Sequence, residues 1–116
     1  PLRYFQQQGY QRNLVILTQP RDYIKQPTAF MPLMRLSLRH YPNMIAALAN
    51  RHVMYNAQLR YVEAQEKLGH TLVLAPEEKL PISHTSHNPK QMQQVYAIGR
   101  KQGLEHLERI KAFVKG

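Results

Sequence analysis

The chain has 116 residues, a length that usually corresponds to one domain, and 43% of them are hydrophobic, enough to form a core. The absence of cysteine excludes disulfides and thiolate metal sites and fits a reducing compartment. The net charge of +9, from 16 Lys and Arg against 7 Asp and Glu, favours anionic partners such as nucleic acid, phospholipid headgroups or an acidic protein face. Because the basic residues are spread along the chain, an ordinary solvated surface is the simplest interpretation of that charge.

The first elements predict a short helix followed by a strand. Residues 1–8 have the pattern of a helix that Gly9 ends, and since residue 1 is Pro rather than Met, we expect a processed or truncated product. Asn13–Thr18 is a continuous apolar run rich in β-branched residues. This run predicts a central strand of a parallel sheet that is covered on both faces.

The middle of the chain predicts helices. A short helix is expected from Pro32 to His40, and a long one from Asn43 to Leu68, with Gly69 just beyond its end. Apolar and ring-bearing residues recur at spacings of three and four, which predicts one buried face of the long helix. These residues are Ile45, Leu48, His52, Tyr55, Leu59 and Val62.

The last third predicts a second strand and a final helix. Thr71–Ala75 has the length of a short buried strand, and residues 77–87 are polar and irregular in pattern. Asn88 and Pro89 are typical of a helix start, as cap and first residue. The predicted buried side of this helix consists of Met92, Val95, Tyr96, Gly99, Gly103, Leu107, Ile110 and Val114. Its two glycines indicate close packing or a bend at Gly103.

Two buried-type strands are too few for a stable sheet. A parallel sheet also needs cover on both faces. The sequence therefore predicts that a missing portion of the same protein, or a second copy, completes the sheet.

A search for catalytic or ligand-binding residues assigns none: no catalytic, cofactor-binding or metal-binding residue and no cofactor. Ser37, Ser83 and Ser86 do not lie in a Gly-x-Ser-x-Gly elbow, and the glycines form no phosphate-binding loop. His84 and His87 are spaced three apart but fall in the irregular segment, where two exposed loop histidines are the better interpretation. His52 is expected to be buried and hydrogen-bonded.

Nucleic-acid binding is disfavoured but stays open at this point. The chain has seven tyrosines and a basic surplus. No RNA-binding or helix-turn-helix signature is present, and packing in the core explains most of the tyrosines.

The order of several strings resembles bacterial patatin-like phospholipases downstream of their catalytic Asp. The first part of the resemblance is a Pro-led helix, a glycine, and a strand that ends at Thr18-Gln19-Pro20-Arg21. Further along, the matching strings are Arg39-His40-Tyr41-Pro42, Leu48-Ala49-Asn50-Arg51-His52, Tyr55-Asn56, Pro76, Ile82 and Tyr96-Ala97-Ile98-Gly99. Together they cover nearly the whole chain.

The resemblance implies an α/β fold: a helix-rich C-terminal fragment of a three-layer α/β/α patatin-like fold with two short buried-type strands. Residues 1–27 would end the catalytic core, and residues 28–116 would form a helical C-terminal extension with one short strand. The family's Ser-Asp dyad and oxyanion loop match no position here, so this piece would be inert alone while its parent hydrolyses carboxylic esters of lipids.

Partners and location follow from the same resemblance. The expected partner is the N-terminal catalytic portion of the same protein or a second copy, with an anionic lipid surface suggested by the charge. The expected location is the cytoplasm, at the periphery of a membrane. The alternative is a free-standing basic helical module that binds nucleic acid or an acidic protein.

Overall fold

A computed structural model describes residues 1–83 and 85–116 of the chain. Within them the chain combines helices with one small parallel sheet, which is an α/β arrangement in the coarse sense. In chain order the elements are α1 (Leu2–Gln7), β1 (Asn13–Ile16), α2 (Met31–Ser37), α3 (Pro42–Lys67), β2 (Thr71–Leu74), α4 (Pro89–Glu105) and α5 (Leu107–Lys115).

The element ends follow the local signals in the sequence. Gly9 and Gly69 lie just after α1 and α3 with φ of +93° and +78°, a conformation that glycine adopts without steric cost. The side chain of Asn88 accepts a hydrogen bond from the backbone N–H of Lys90, and Pro89 begins α4. The predicted helix stops and the predicted cap are therefore confirmed.

The two strands pair with each other in parallel, with Asn13 opposite Thr71 and Ile16 opposite Leu74, which agrees with the parallel sheet predicted for β1. The predicted cover on both faces of β1, however, is not found within the described part of this chain. Leu14 is 38% exposed and Ile16 is 68% exposed, whereas all four residues of β2 are buried. An apolar run shows only that a strand can be buried on both faces. Whether neighbours cover it depends on the rest of the fold.

The described residues divide into two compact units. Unit 1 contains residues 1–23 and 64–116, and its buried residues are Leu2, the strand β2 and Pro76. Unit 2 contains residues 24–63. The predicted buried face of α3 is confirmed in unit 2: all six of its residues are half-buried or buried, and Val62 is the most buried of them.

Within unit 2, side chains fasten an extended segment to α3. The amide of Asn56 accepts a hydrogen bond from the backbone N–H of Lys25 (2.9 Å) and donates one to its carbonyl oxygen (3.1 Å). The hydroxyl of Thr28 donates to the carbonyl oxygen of Leu48 at 3.0 Å. The two bonds from Asn56 satisfy backbone groups of Lys25, which lies outside the strands and helices.

The end of the chain differs from the prediction. The expected single helix is two helices separated at His106, so the break lies three residues after the bend predicted at Gly103. The predicted buried side is only partly right, because Met92, Tyr96 and Val114 are exposed. Helical periodicity shows which side chains share a face, but it does not supply an element that covers that face.

Candidate functional site

The carboxyl ends of β1 and β2 lie at the same end of the sheet because the strands are parallel. Ligands of open α/β sheets bind at the carboxyl ends of the strands. Thr18–Arg21 follow β1 here, and Ala75 and Pro76 follow β2. This end of the sheet is therefore the first candidate for a site.

An ion pair between Arg21 and Glu66 lies at this end of the sheet. Arg21 donates from Nη1 to Glu66 Oε2 at 2.6 Å and from Nη2 to Glu66 Oε1 at 2.9 Å. Its Nη2 also donates to the carbonyl oxygen of Val73 at 3.0 Å. A bidentate pair of this kind is among the stronger side-chain interactions, since both planar groups are matched in geometry.

The environment of Glu66 favours its ionised form. The hydrogen bond from Arg21 lowers the pKa of the Glu66 carboxyl below its ordinary value of 4.5, and burial opposes this in part. The positive charge of Arg21, a hydrogen bond from the Val73 backbone and the charge of Arg109 lower the pKa further. The carboxylate is thus charged at neutral pH and holds the guanidinium in place.

The ion pair also closes the outer edge of β2. The N–H groups of Asn13 and Leu17 donate to the carbonyls of His70 and Leu74, and ladder bonds alternate along a parallel strand. The backbone groups of Val73 therefore face away from β1. Arg21 and Glu66 bond to them there, in the place where a further strand would pair.

The outer edge of β1 is different. By the same alternation, the backbone N–H and C=O groups of Leu14 and Ile16 face away from β2. In the described part of the chain the sheet has only two strands, so no strand pairs with this edge. The side chains of Leu14 and Ile16 are also the exposed ones in β1. The sheet is closed on one side and open on the other.

The remaining polar groups near the carboxyl ends do not form a reaction centre. Gln102 Nε2 donates to the carbonyl oxygen of Ala75. Gln19 Oε1 is buried and has no hydrogen-bond partner among the residues described. Asp22 is exposed beside Arg21. Among the described residues near these carboxyl ends, no nucleophile lies against a base.

The serines are not assembled into a catalytic group in the described regions. Ser37 is exposed at the end of α2, and Ser83 is exposed in an irregular segment. The hydroxyl of Ser86 donates to Gln91 Oε1. His87 is exposed, as predicted, and His84 lies outside the described residues.

His52 is half-buried, but its Nδ1 is buried without a hydrogen-bond partner in the described structure. The predicted burial is therefore only partial, and the predicted hydrogen bond is not found at Nδ1 within the residues described. No three His, Asp or Glu side chains come together to hold a metal ion in residues 1–83 and 85–116. Over the same residues, none of the helices combines the length and apolarity needed to cross a bilayer.

Sequence reasoning missed the ion pair between Arg21 and Glu66. The two residues are separated by 45 positions, and each has an ordinary local context: one follows a strand and the other lies in the last turns of a helix. Only the pairing of β1 with β2 brings them together.

These features define a helix-rich α/β chain whose small parallel sheet is open on one side. Residues 41–115 match the family described as a domain of unknown function, DUF6363. Since the match covers about two thirds of the chain, the chain belongs to this family. No curated protein and no solved structure matches the chain. The family match includes α3, β2, α4 and α5, and it begins after β1 and α2.

Proposed function

We propose that the chain is the C-terminal structural portion of a patatin-like serine lipid acyl hydrolase and is inert alone. The observation that carries the proposal is the one-sided sheet, with the outer edge of β1 open and the outer edge of β2 closed by Arg21 and Glu66. In this proposal the N-terminal catalytic portion supplies the next strand beside β1.

Physical reasons support a missing neighbour at β1. Natural proteins protect edge strands with charges, prolines or bulges, because an unprotected edge pairs with other chains. Here the edge carries Leu14 and Ile16, which are exposed and apolar. Two-stranded sheets are marginal by themselves, so a third strand would stabilise the sheet, and the layer packed on its face would bury both side chains.

The chemistry of the proposed parent lies outside this chain. The sequence contains no Gly-x-Ser-x-Gly elbow, and its single aspartate, Asp22, is exposed. The nucleophile, the partner Asp and the oxyanion loop would all belong to the N-terminal portion. The parent would hydrolyse carboxylic esters of lipids in the cytoplasm, at the periphery of a membrane, and the present chain would complete its fold.

The coding sequence upstream of Pro1 gives the first test. We expect it to encode an Asp-Gly motif a few residues before Pro1 and a Gly-x-Ser-x-Gly elbow further upstream. An upstream region that lacks both motifs would contradict the proposal. The free-standing basic helical module would then be the better description.

Reconstitution from two polypeptides gives the second test. We expect the upstream portion and the 116-residue chain, when co-expressed, to co-purify and to hydrolyse a p-nitrophenyl ester. Ile16→Lys should abolish co-purification because it places a charge at the open edge. Val114→Lys is the matched control, since Val114 is equally exposed at 66% but lies in α5, and it should co-purify normally.

Labelling with a fluorophosphonate, read by intact mass, tests whether the chain is inert alone. We expect no adduct on the isolated chain and one adduct on the upstream portion. An adduct on Ser37, Ser83 or Ser86 would mean that the chain contains its own activated serine, and the proposed division of roles would be wrong.

A further inference from the structure

Helix α2 has apolar side chains on two opposite faces. Met31 and Leu38 are seven residues apart, so they share a face, and both are half-buried. Leu33 and Leu36 are three residues apart on the other side, and they are 63% and 65% exposed. A surface helix normally places polar residues opposite its packed face. The outward leucines of α2 are therefore unexplained by the packing of unit 2.

Phe30, immediately before α2, adds a second anomaly. Its φ is +59°, a left-handed conformation that is disfavoured for residues with a side chain. Its ring is 76% exposed. Strained backbone conformations cluster at functional positions, so the exposed ring of Phe30 is a candidate contact residue.

The charge around these side chains has one sign. Residues 24–62 contain no Asp or Glu, and the only acidic residue of unit 2 is Glu63 at its end. The basic residues in this stretch are Lys25, Arg35, Arg39, Arg51 and Arg60. All three salt bridges found in the described structure lie in unit 1. Within unit 2, five Lys and Arg residues are thus accompanied by a single carboxylate.

We propose that Phe30, Leu33 and Leu36 insert into the interface of an anionic phospholipid bilayer while Arg35 and Arg39 bind its headgroups. We call these five residues the α2 surface. Stable peripheral binding requires two signals, an apolar contact and a basic patch, and the α2 surface contains both. Arg35 in α2 and Arg39 just after it are both exposed, and their long, flexible side chains can extend to the headgroups.

An anionic bilayer fits the α2 surface better than a second copy does. In a symmetric dimer the same surface of each copy would face the other, and two acid-free surfaces would repel. The proposal depends on unit 2 alone and not on the hydrolase assignment. Either proposal can fail while the other holds.

Vesicle co-sedimentation of the 116-residue chain tests the inference. We expect binding to vesicles of phosphatidylcholine mixed with phosphatidylglycerol, and weak binding to phosphatidylcholine alone. Since each Arg near an anionic membrane contributes about 1 kcal/mol, the double variant R35Q/R39Q should lower the partition coefficient about 30-fold. Raising the salt concentration should weaken binding of the unmodified chain.

Matched controls separate the α2 surface from general charge and apolarity. K90Q/R100Q removes the same two charges from α4 and should retain most of the binding. L33Q/L36Q should lower partitioning by at least about tenfold, because two leucines lose their insertion. L68Q/L104Q changes two leucines of similar exposure, 63% and 59%, in unit 1 and should have little effect.

Three outcomes would overturn the inference. One is the absence of binding to anionic vesicles. Another is equal loss of binding in R35Q/R39Q and K90Q/R100Q, which would indicate a diffuse charge effect. The third is a concentration-dependent dimer that L33Q/L36Q dissociates, which would assign the surface to a second copy. Because all four substituted positions of the α2 surface are exposed, circular dichroism should show unchanged helix content in every variant.

Discussion

Removal of the pair formed by Arg21 and Glu66 tests whether it closes the outer edge of β2. Arg21→Ala leaves the Glu66 carboxylate and the carbonyl oxygen of Val73 without their donor. The Arg21 side chain is 49% exposed and that of Glu66 is 22% exposed, so solvent screening limits the ion pair to about 1 kcal/mol. The orphaned Val73 carbonyl adds about 1 kcal/mol, and we expect a total loss of about 2 kcal/mol in the free energy of unfolding.

A double-mutant cycle isolates the interaction between the two side chains. Glu66→Gln removes the charge and keeps an acceptor for the Val73 N–H, so it should cost about 1 kcal/mol. The double variant should show a coupling energy of about 1 kcal/mol in urea unfolding followed by circular dichroism. The same cycle on Glu108 and Lys111, a pair on the surface of α5, serves as the control and should give a much smaller coupling.

The coupling should depend on pH in a defined direction. The pKa of Glu66 is lowered in the folded state, chiefly by the hydrogen bond from Arg21, so the unfolded state binds the proton more tightly. The stabilisation is therefore complete above the ordinary pKa of 4.5 and is lost as the pH falls through the lower, folded-state pKa. The difference in stability between the wild type and Glu66→Gln should shrink over that interval.

Two results would contradict the role assigned to Arg21 and Glu66 at the outer edge of β2. A coupling no larger than that of Glu108 with Lys111 would mean that the pair is an ordinary surface contact. A stability difference between the wild type and Glu66→Gln that stays constant from neutral pH to well below pH 4.5 would show that the folded-state pKa is not lowered.

Three further predictions concern local structure, each measured by urea unfolding. Gly69→Ala should lower the free energy of unfolding by about 1 kcal/mol because φ at this residue is +78°. Gly99→Ala in α4, with open space around it, should raise the free energy of unfolding by up to about 1 kcal/mol. Equal effects of the two substitutions would contradict the positive φ at Gly69. Asn56→Ala should lower the free energy of unfolding by about 2 kcal/mol and speed amide exchange at Lys25, since both hydrogen bonds to that residue are lost. Unchanged exchange at Lys25 would contradict these two hydrogen bonds. Asn88→Ala should lower the free energy of unfolding by about 1 kcal/mol through loss of the cap of α4. An unchanged free energy of unfolding would show that this cap does not stabilise the helix.

The sequence was most informative about helices and their ends. The spacing from Ile45 to Val62 predicted which face of α3 is covered, and each of those residues is half-buried or buried. Gly69 and Asn88 marked the end of α3 and the start of α4. These signals succeed because helix periodicity, capping and positive φ depend on residues only a few positions apart.

The sequence was least informative about burial by distant elements. It predicted β1 as the covered central strand, but β2 is covered and β1 is open. It also predicted a buried side for α4 and α5 that is partly exposed. An apolar pattern states what a segment can bury, while the actual cover is supplied by elements remote in sequence.

The sequence by itself therefore determined the α/β character, the two strand segments and the positions where helices begin and end. Only the tertiary structure decided which edge of the sheet is closed, because Arg21 and Glu66 are 45 residues apart and meet only when β1 pairs with β2. It also decided that the outward face of α2 is apolar, since the inward half-burial of Met31 and Leu38 fixes the rotation of that helix. Local interactions choose the conformation of each segment, and long-range packing chooses what that segment presents to its surroundings.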